Sequence, residues 1–179
     1  CSSDLIKIVE HQLQLMLYDL NAHYQLSNNI NADVVGYNTN SGFVPVGTYN
    51  EAHPEYAFNG DFNGNGKVIS ALTIRRSGQD YVGLFGYLGS LARVYGFGIE
   101  KIHIEGRHFA GGVAGFSAAN LWNIFVNGSH TIIGVNFVGG LVGSNTGSIA
   151  NAYSSATVAA TGANVGGLAG SNTGTIDKT

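Results

Sequence analysis

The amino-acid sequence predicts an all-β fold, a right-handed parallel β-helix (β-solenoid), and three observations support this prediction. A ten-residue segment that begins Gly-Leu occurs twice, at residues 140–149 and 167–176. Degenerate copies of its first four residues lie at 83–86 and 112–115, and the four copies begin 29, 28 and 27 residues apart. Glycine is abundant, at 27 residues, whereas only 11% of residues are charged. A near-constant period of this length is typical of solenoids, in which each repeat forms one rung.

The repeated positions are glycines and asparagines, which indicates a structural role. Glycine lets the backbone turn or approach a neighbouring strand closely, and we interpret each Gly-x-x-Gly core as a strand bounded by such positions. A rung of 27 to 30 residues accommodates about three short strands with their turns. The predicted structural residues are Gly83, Gly86, Gly112, Gly115, Gly140, Gly143, Asn145, Gly147, Gly167, Gly170, Asn172 and Gly174.

A second, apolar marker keeps the same period and sets the expected register between rungs. It consists of Leu91, Leu121, Ile149 and Ile176, which are spaced 30, 28 and 27 residues apart. Because equivalent side chains of neighbouring rungs lie about 4.8 Å apart, this register predicts columns of like residues. The expected columns are one aromatic column of Tyr95, Phe125 and Tyr153 and two asparagine ladders, Asn123 with Asn151 and Asn145 with Asn172.

Residues 1–23 are predicted to form an N-terminal capping α-helix. Apolar residues recur at helical spacing between residues 3 and 20, and Ser3 or Asp4 can cap the first turn. A helix with one apolar face can cover the open end of a stack, which otherwise exposes core and unpaired backbone. The alternative interpretation is a helix that binds a partner. The residues of the apolar stripe are Val9, Leu13, Met16, Leu17 and Leu20.

Residues 24–80 are predicted to form the first, irregular rungs with long loops. Short strands at 24–27 and 43–47 are separated by an asparagine-rich loop, and a second polar loop spans 48–56. Because binding residues concentrate on exposed loops of a rigid scaffold, these loops are the expected contact surface. The candidate binding residues are Asn38, Asn40, Tyr49, Glu51 and His53.

Residues 81–179 contain the repeat rungs, and all three parts are expected to form one solenoid domain. The last repeat stops halfway round its rung, at residues 176–179. We therefore expect a chain cut from a longer protein, with an open C-terminal edge that favours end-to-end self-association. The single cysteine, Cys1, excludes an internal disulfide. It is interpreted either as the lipidated first residue of a mature lipoprotein or as the boundary of a fragment.

The repeat resembles the GLUG repeat of bacterial secreted and surface proteins. The resemblance rests on Gly-Leu-x-Gly-Ser-Asn-x-Gly-x-Ile, which is nearly complete twice and degenerate twice. The stretch before residue 81 is also similar to the N-terminal approach to GLUG arrays. Such repeats occur in filamentous-haemagglutinin-like adhesins and in the non-catalytic region of immunoglobulin A proteases. The resemblance implies a β-helical segment whose motif residues are structural.

The distribution of charge argues against an enzyme. No Asp, Glu, Lys or Arg occurs from residue 109 to residue 176, whereas β-helical glycosidases and lyases work through carboxylates. A net charge of −3 without a basic patch disfavours nucleic acid as a partner, because phosphate contacts need clustered Lys and Arg. There is no run of about 20 apolar residues that would predict a membrane span. We therefore expect no catalytic residues and no cofactor.

Two groups of residues have some character of a metal site, and neither is predicted to bind a metal. Residues 61–66 match the first half of an EF-hand loop, but the twelfth position is Leu72, where a bidentate Glu is required. His103 and Glu105 share the outer face of a predicted strand, with His108 nearby. Such a set is more typical of a solvated face than of a closed ligand shell.

The sequence therefore predicts a non-enzymatic structural and binding segment of a bacterial secreted or cell-surface adhesin. In this interpretation a rigid stalk presents its loops to a host-cell or surface glycan or protein. The first alternative is an accessory, non-catalytic domain of a secreted surface protease. The second is a carbohydrate-active β-helix enzyme, for which the chain mostly lacks the necessary carboxylates.

Overall fold

The structure is a computed structural model that describes residues 5–33, 40–128 and 131–178. Within these residues the chain forms short β-strands and two 3₁₀ helices, η1 (Glu10–Tyr18) and η2 (Pro54–Tyr56). The strands are β1 (Leu5–Ile8), β2 (His23–Leu26), β3 (Ile30–Asn31), β4 (Asp61–Ser70), β5 (Thr73–Arg75), β6 (Phe85–Leu88), β7 (Arg93–Glu100), β8 (His103–Glu105), β9 (His108–Gly111), β10 (Ala114–Ser117), β11 (Asn120–Asn127), β12 (Thr131–Gly134), β13 (Asn136–Gly139), β14 (Val142–Asn145), β15 (Ser148–Ser154), β16 (Thr157–Ala160), β17 (Val165–Gly166), β18 (Ala169–Asn172) and β19 (Thr175–Asp177). No helix among the described residues is both long enough and apolar enough to cross a bilayer.

The strands assemble into four parallel sheets that run along the stack. The largest has the order β1-β2-β4-β7-β11-β15-β19, with β3 beside β4. The others are β6-β10-β14-β18, β5-β8-β12-β16 and β9-β13-β17. A full turn such as β9 to β12 therefore contributes one strand to each sheet, four strands where three were expected. The prediction of an all-β parallel solenoid is confirmed, with about four turns, and its right-handed sense stays a prediction.

The N-terminal segment differs from its prediction, because it contains a strand and a 3₁₀ helix and not an α-helix over residues 3–20. β1 pairs in parallel with β2 and so forms the first strand of the largest sheet. In η1, Leu13 and Met16 are fully buried, whereas Leu17, like Val9 just before the helix, is exposed. The two buried residues are three positions apart, which matches the three residues per turn of a 3₁₀ helix. The apolar residues that predicted an α-helix therefore bury only one narrow stripe.

One side chain attaches η1 to the loop that precedes η2. Gln14 donates from Nε2 to the carbonyl oxygen of Val44 and accepts the Val44 amide proton at Oε1, with both distances 2.9 Å. The side-chain amide thus makes the two hydrogen bonds that a neighbouring peptide group would make. Ser3 and Asp4, the expected capping residues, lie outside the described residues.

A hydrophobic core fills the inside of the coil. Its N-terminal part, here called the lower part of the stack, is aromatic. The ring of Phe62 contacts those of Phe85 and Phe97 edge-on, with centroids 5.5 and 5.2 Å apart. Higher turns place smaller residues at the same position, because Phe62 is followed in register by Val94 and then by Leu121. Burial of this apolar surface is the main force that holds successive turns together.

Of the repeated glycines, Gly140 and Gly143 occur where neighbouring turns leave no room for a side chain. A Cβ atom on Gly143 would lie 2.5 Å from the carbonyl oxygen of Gly115 and 2.7 Å from the nitrogen of Ala110. A Cβ atom on Gly140 would overlap the carbonyl oxygen of Gly167 in the next turn. Because these neighbours are backbone atoms, they cannot move aside as a flexible side chain would. Glycine is therefore required at these positions.

Three further glycines are constrained in the same way, although the predicted motif omits them. A Cβ atom on Gly111 would lie 2.6 Å from the Cα atom of Val142. Cβ atoms on Gly139 and Gly166 would overlap the backbone of β14 and β18 respectively. Each of the three directly precedes the first glycine of a motif copy. The recurrent Gly-Gly pair was the sequence signal for them.

The register between turns agrees with the apolar marker in the upper turns and differs in a lower one. Leu121 lies opposite Ile149, as predicted, but the residue opposite Leu121 in the turn below is Val94, not Leu91. Leu91 is 77% exposed in the connection between β6 and β7. This connection has four residues, whereas that between β10 and β11 has two. The number of residues between equivalent positions of these two turns is therefore smaller than the apolar marker predicted.

The aromatic column predicted from Tyr95, Phe125 and Tyr153 is confirmed for Phe125 and Tyr153 but wrong for Tyr95, so that two columns replace one. Tyr95 lies opposite Trp122, and their rings stack with centroids 4.2 Å apart. Phe125 lies opposite Tyr153, with ring centroids 5.8 Å apart. In the turn below, the partner of Phe125 is Gly98. The error in register at Leu91 accounts for the difference, because it shifts Tyr95 by three positions.

Both predicted asparagine ladders are confirmed. Asn151 donates from Nδ2 to Oδ1 of Asn123 at 3.3 Å, and Asn145 donates from Nδ2 to Oδ1 of Asn172 at 2.7 Å. Asn123 and Asn151 have φ values of 54° and 48°, a conformation that asparagine tolerates better than most residues. Asn145 is fully buried and accepts the amide proton of Gly147 at Oδ1, at 3.2 Å. Its side chain therefore fixes the turn after β14 as well as the ladder.

Candidate binding cleft

A cleft of about 360 Å³ lies between the 48–56 loop and the stack. The loop forms one wall, and parts of two successive turns form the floor and the other wall. The cleft is lined by Thr48, Tyr49, Asn50, Glu51, Pro54, Ala57, Asn59, Tyr87, Gly89, Ser90 and Ala118. Its lining therefore combines aromatic rings with hydroxyl, amide and carboxylate groups.

The 48–56 loop is held in shape by its own hydrogen bonds. The amide of Thr48 donates to the carbonyl oxygen of Tyr56 at 2.8 Å, which closes the loop at its base. Asn50 accepts the amide proton of Ala52 at Oδ1, at 3.0 Å. The helix η2 begins with Pro54, whose fixed φ suits the start of a helix. A loop constrained in this way loses little conformational entropy when it binds a ligand.

Aromatic rings form the floor of the cleft and part of its wall. Tyr87 stacks on Phe116 of the next turn, with centroids 4.6 Å apart and planes 7° from parallel. Tyr49 is 46% exposed, and its ring centroid lies 5.3 Å from those of both Tyr87 and Tyr81. Burial, and then the proximity of Tyr49, raises the pKa of Tyr81 and of Tyr87. The two phenols are therefore neutral at pH 7.

Tyr81 belongs to a second column of aromatic residues, whose backbone conformation is unusual. Its ring stacks on Phe109 at 4.7 Å, and Phe109 stacks on Phe137 at 4.6 Å. The φ values of the three are 58°, 57° and 56°, a region in which a bulky residue costs about 1 to 3 kcal/mol. A Cβ atom on Gly115 would lie 2.6 Å from the Tyr81 backbone. The second motif glycine therefore makes room for the column that supports Tyr49.

Two of the five predicted loop residues, Tyr49 and Glu51, line the cleft. His53 lies on the same loop but makes other contacts. Its ring stacks on Tyr56 with centroids 4.9 Å apart, and its Nδ1 atom lies 2.9 Å from Oε1 of Glu55. The structure therefore separates His53 from the candidate site.

The other two predicted binding residues belong to the asparagine-rich loop. Asn38 lies outside the described residues. Asn40 is exposed, has a φ of 51° and does not line the cleft. The structure therefore gives Asn40 a place in a turn, which asparagine favours at this φ.

The side of the cleft that the stack provides was missed in the sequence. Asn59, Tyr87 and Ser90 line it. The side chain of Asn59 lies over Gly89, where a Cβ atom would overlap its Oδ1 atom. One signal was present, since Tyr87 and Phe116 each directly follow the second glycine of a motif copy. Aromatic residues at one repeated position predict a stacked pair.

The two groups considered for metal binding make other contacts. Nε2 of His103 lies 2.6 Å from Oε1 of Glu105, and Nδ1 of His108 lies 3.3 Å from Nδ2 of Asn136. Asp61, at the start of the EF-hand-like stretch, forms an ion pair with the arginine that begins β7. Among the described residues, no three His, Cys, Asp or Glu side chains lie close enough together to hold a metal ion.

Comparison with protein families identifies the repeat. A family model for the GLUG motif matches residues 138–159. The chain contains a GLUG motif. The match begins within β13 and ends within β16, and so covers most of one turn of the solenoid. The close contacts of Gly140 and Gly143 and the hydrogen bonds of Asn145 therefore explain the GLUG residues physically.

Halomucin from Haloquadratum walsbyi (strain DSM 16790 / HBSQ001) is 36% identical to the chain over 138 residues. This similarity covers 76% of the present chain but only 1% of halomucin. The chain thus corresponds to a small part of that relative's length. No solved structure matches the chain.

Proposed function

We propose that the chain is a non-catalytic attachment segment of a secreted or cell-surface protein. The GLUG-motif solenoid is a rigid support that presents the 48–56 loop and its cleft to a glycan or a protein on another surface. The observation that carries this proposal is the position of a preorganised polar loop on a stack of parallel sheets. Function of this kind needs a fixed geometry of the loop and no chemical step.

Hydrogen bonding between successive turns supports the role of the stack. Each of the upper turns pairs with its neighbours in all four sheets. The aromatic columns and asparagine ladders add contacts between the same turns. In a solenoid, stability is approximately the sum of such contacts between neighbouring repeats. A stack joined in this way suits a rigid support.

The chemistry of the cleft favours binding without turnover. Among the described residues that line the cleft, Glu51 is the only carboxylate. Hydrolysis of a glycoside commonly requires two, one as acid and one as base or nucleophile. From residue 109 to residue 176 the sequence contains no charged residue at all. The described lining of the cleft therefore offers a partner hydrogen bonds and aromatic contact, and no pair of acid and base.

The comparisons support a surface location. Halomucin is a surface protein, and the match to it extends over three quarters of the chain. The GLUG motif agrees with a structural segment in such a protein. We therefore propose that the chain lies in a secreted or cell-surface protein and that it serves to attach that protein to another surface.

Adhesion assays test this function directly. Beads coated with the chain should be retained on cells or on immobilised glycans and matrix proteins more than beads coated with an unrelated β-solenoid. Incubation with polysaccharides should release no new reducing ends. Retention equal to that of the control beads would contradict the attachment role, and release of reducing ends would contradict the non-catalytic role.

A further inference from the structure

We infer that the cleft lined by Tyr49 and Tyr87 is a subsite for one neutral sugar unit of a glycan. The inference rests on the proposed function, because it names the ligand class of the same loop. Four features of the cleft lead to it: its aromatic faces, its neutral polar rim, its single negative charge and its size.

The aromatic faces suit the apolar side of a sugar ring. A pyranose presents C–H groups on its faces and hydroxyl groups around its edge, so that one face can pack flat on an aromatic ring. Tyr87 is fixed by stacking on Phe116, and Tyr49 is supported by both Tyr87 and Tyr81. Tyr49 is 46% exposed, whereas Tyr87 is partly buried, and rings held in place in this way provide contact area at little entropic cost. The rings therefore form a preformed platform for such a face.

The polar rim suits the hydroxyl groups at the edge of a sugar. Thr48 and Ser90 contribute hydroxyls, and Asn50 and Asn59 contribute amides. Hydroxyl and amide groups can both donate and accept, which is the capacity that a sugar hydroxyl needs in a partner. Glu51 adds a carboxylate, which accepts two hydroxyl protons at once.

The charge of the cleft selects a neutral ligand. No Lys or Arg is among the described residues that line it, and Glu51 is the only carboxylate among them. A phosphate, sulfate or uronate would meet a carboxylate without a compensating cation. Anionic glycans are therefore disfavoured relative to neutral ones.

The size of the cleft favours a glycan over a folded protein partner. Its volume of about 360 Å³ lies near the lower end of the range of about 300 to 1,000 Å³ for small-ligand sites. This space accommodates about one or two sugar rings. A stable protein interface buries about 800 Å² on each side, far more than the cleft offers.

Nuclear magnetic resonance titration of the ¹⁵N-labelled chain tests the subsite. The probes are cellobiose, lactose, maltotriose and N,N′-diacetylchitobiose, with trigalacturonate as the anionic comparison. At least one neutral sugar should shift the amide signals of Gly89, Ser90 and the 48–56 loop, and trigalacturonate should not. Tyr49→Ala should weaken the binding by about tenfold or more.

The matched control is Tyr56→Ala, because Tyr56 lies on the same loop and is 42% exposed but does not line the cleft. It should bind the sugar within about twofold of the unmodified chain. The Glu51→Gln variant should still bind the neutral sugar and should also begin to bind trigalacturonate. This second test does not depend on whether Tyr49→Ala disturbs folding.

Two results would overturn the subsite: no loop shifts with any of the four neutral sugars, or equal loss of binding in Tyr49→Ala and Tyr56→Ala. If coated beads still adhere to cells in either case, the attachment function stands and a protein partner is indicated. If a sugar binds in the cleft but coated beads adhere to nothing, the attachment function fails and the subsite remains.

Discussion

The ring of Tyr95 lies flat on that of Trp122 in the next turn, with centroids 4.2 Å apart and planes 6° from parallel. This separation is close to the spacing of about 4.8 Å between neighbouring strands. The two residues therefore occupy the same position on successive turns. In the same sheet, the hydrogen bond from Asn151 to Asn123 joins the following pair of turns and spans a sequence separation of 28. The length of one turn at this level thus matches the period of the repeated motif.

The motif glycines give a prediction with an internal control. Gly140→Ala should lower the free energy of unfolding by about 3 kcal/mol, because its Cβ atom would overlap the backbone of Gly167 in the next turn. Gly167→Ala should leave stability unchanged or raise it by about 0.5 kcal/mol, because no atom lies within 4 Å of the added Cβ. Urea denaturation followed by circular dichroism measures both. Equal destabilisation by the two substitutions would show that the motif glycines act through backbone freedom and not through packing.

The buried amide of Asn145 is a second test of the motif. Asn145→Ala should reduce the free energy of unfolding by about 1 to 3 kcal/mol, since it removes the hydrogen bonds that this buried side chain makes with Gly147 and Asn172. Asn120→Ala is the control, because Asn120 is exposed and its side chain accepts a hydrogen bond from the Ser148 hydroxyl at Oδ1. Its effect should be within about 0.5 kcal/mol. A larger effect for Asn120 than for Asn145 in urea denaturation would contradict the role assigned to the buried ladder.

The raised pKa of Tyr24 predicts that the folded chain loses stability at alkaline pH. Its side chain is buried and its hydroxyl donates to the carbonyl oxygen of Asp19 at 2.7 Å. Burial, and then the charge of Asp19, raises the pKa of Tyr24 from 10.0 to about 12. The unfolded chain therefore loses this proton at a lower pH than the folded chain does. The stabilisation is complete below pH 10 and is lost as the pH rises to about 12, by roughly 2 to 3 kcal/mol.

Unfolding free energies at intervals from neutral to strongly alkaline pH measure this effect. Tyr24→Phe removes the titrating group, and its stability should decline less than that of the unmodified chain between pH 10 and 12. Comparison of the two chains isolates Tyr24 from the other tyrosines. Parallel declines in both chains would show that Tyr24 does not ionise on unfolding in this range.

Self-association through the ends of the coil remains a prediction. Among the described residues, β1 and β19 form the two edges of the largest sheet, and all its strands are parallel. The first strand of a second copy therefore fits beside β19, where Ile176 is 38% exposed. Sedimentation velocity should show association that grows over about a hundredfold range of concentration and weakens in Ile176→Lys. Ile133→Lys is the matched control, because Ile133 is 37% exposed on β12, away from both ends. A monomer at all concentrations would contradict the prediction.

The solenoid could be predicted because its glycines repeat for a physical reason. Wherever one turn passes over another without room for a Cβ atom, as at Gly140 and Gly143, the same residue must recur once per turn. The exact register could not be predicted in the same way. Leu91 and Val94 are both apolar, and only the longer connection after β6 decides that Val94 faces Leu121.

The type of the N-terminal helix and most of the cleft could not be predicted from the sequence, for a different reason. Leu13 and Met16 satisfy α-helical and 3₁₀ spacing equally well, so their pattern does not decide between the two helices. The cleft joins Tyr49 to Tyr87 and Ala118, which lie far apart in the chain. Only the stacking of turns brings such residues together. Sequence reasoning therefore found the loop and missed the wall opposite it.

Disulfide trapping of paired cysteines tests the stacking of turns most directly. In a Cys1→Ser background, Tyr95→Cys with Trp122→Cys places two thiols on adjacent parallel strands, within the Cα separation of about 4.4 to 6.8 Å that a disulfide needs. Tyr95→Cys with Phe125→Cys places them three positions out of register. The account predicts rapid oxidation to an intramolecular disulfide in the first pair and not in the second, as read by peptide mapping. A disulfide that forms between residues 95 and 125 but not between 95 and 122 would contradict it.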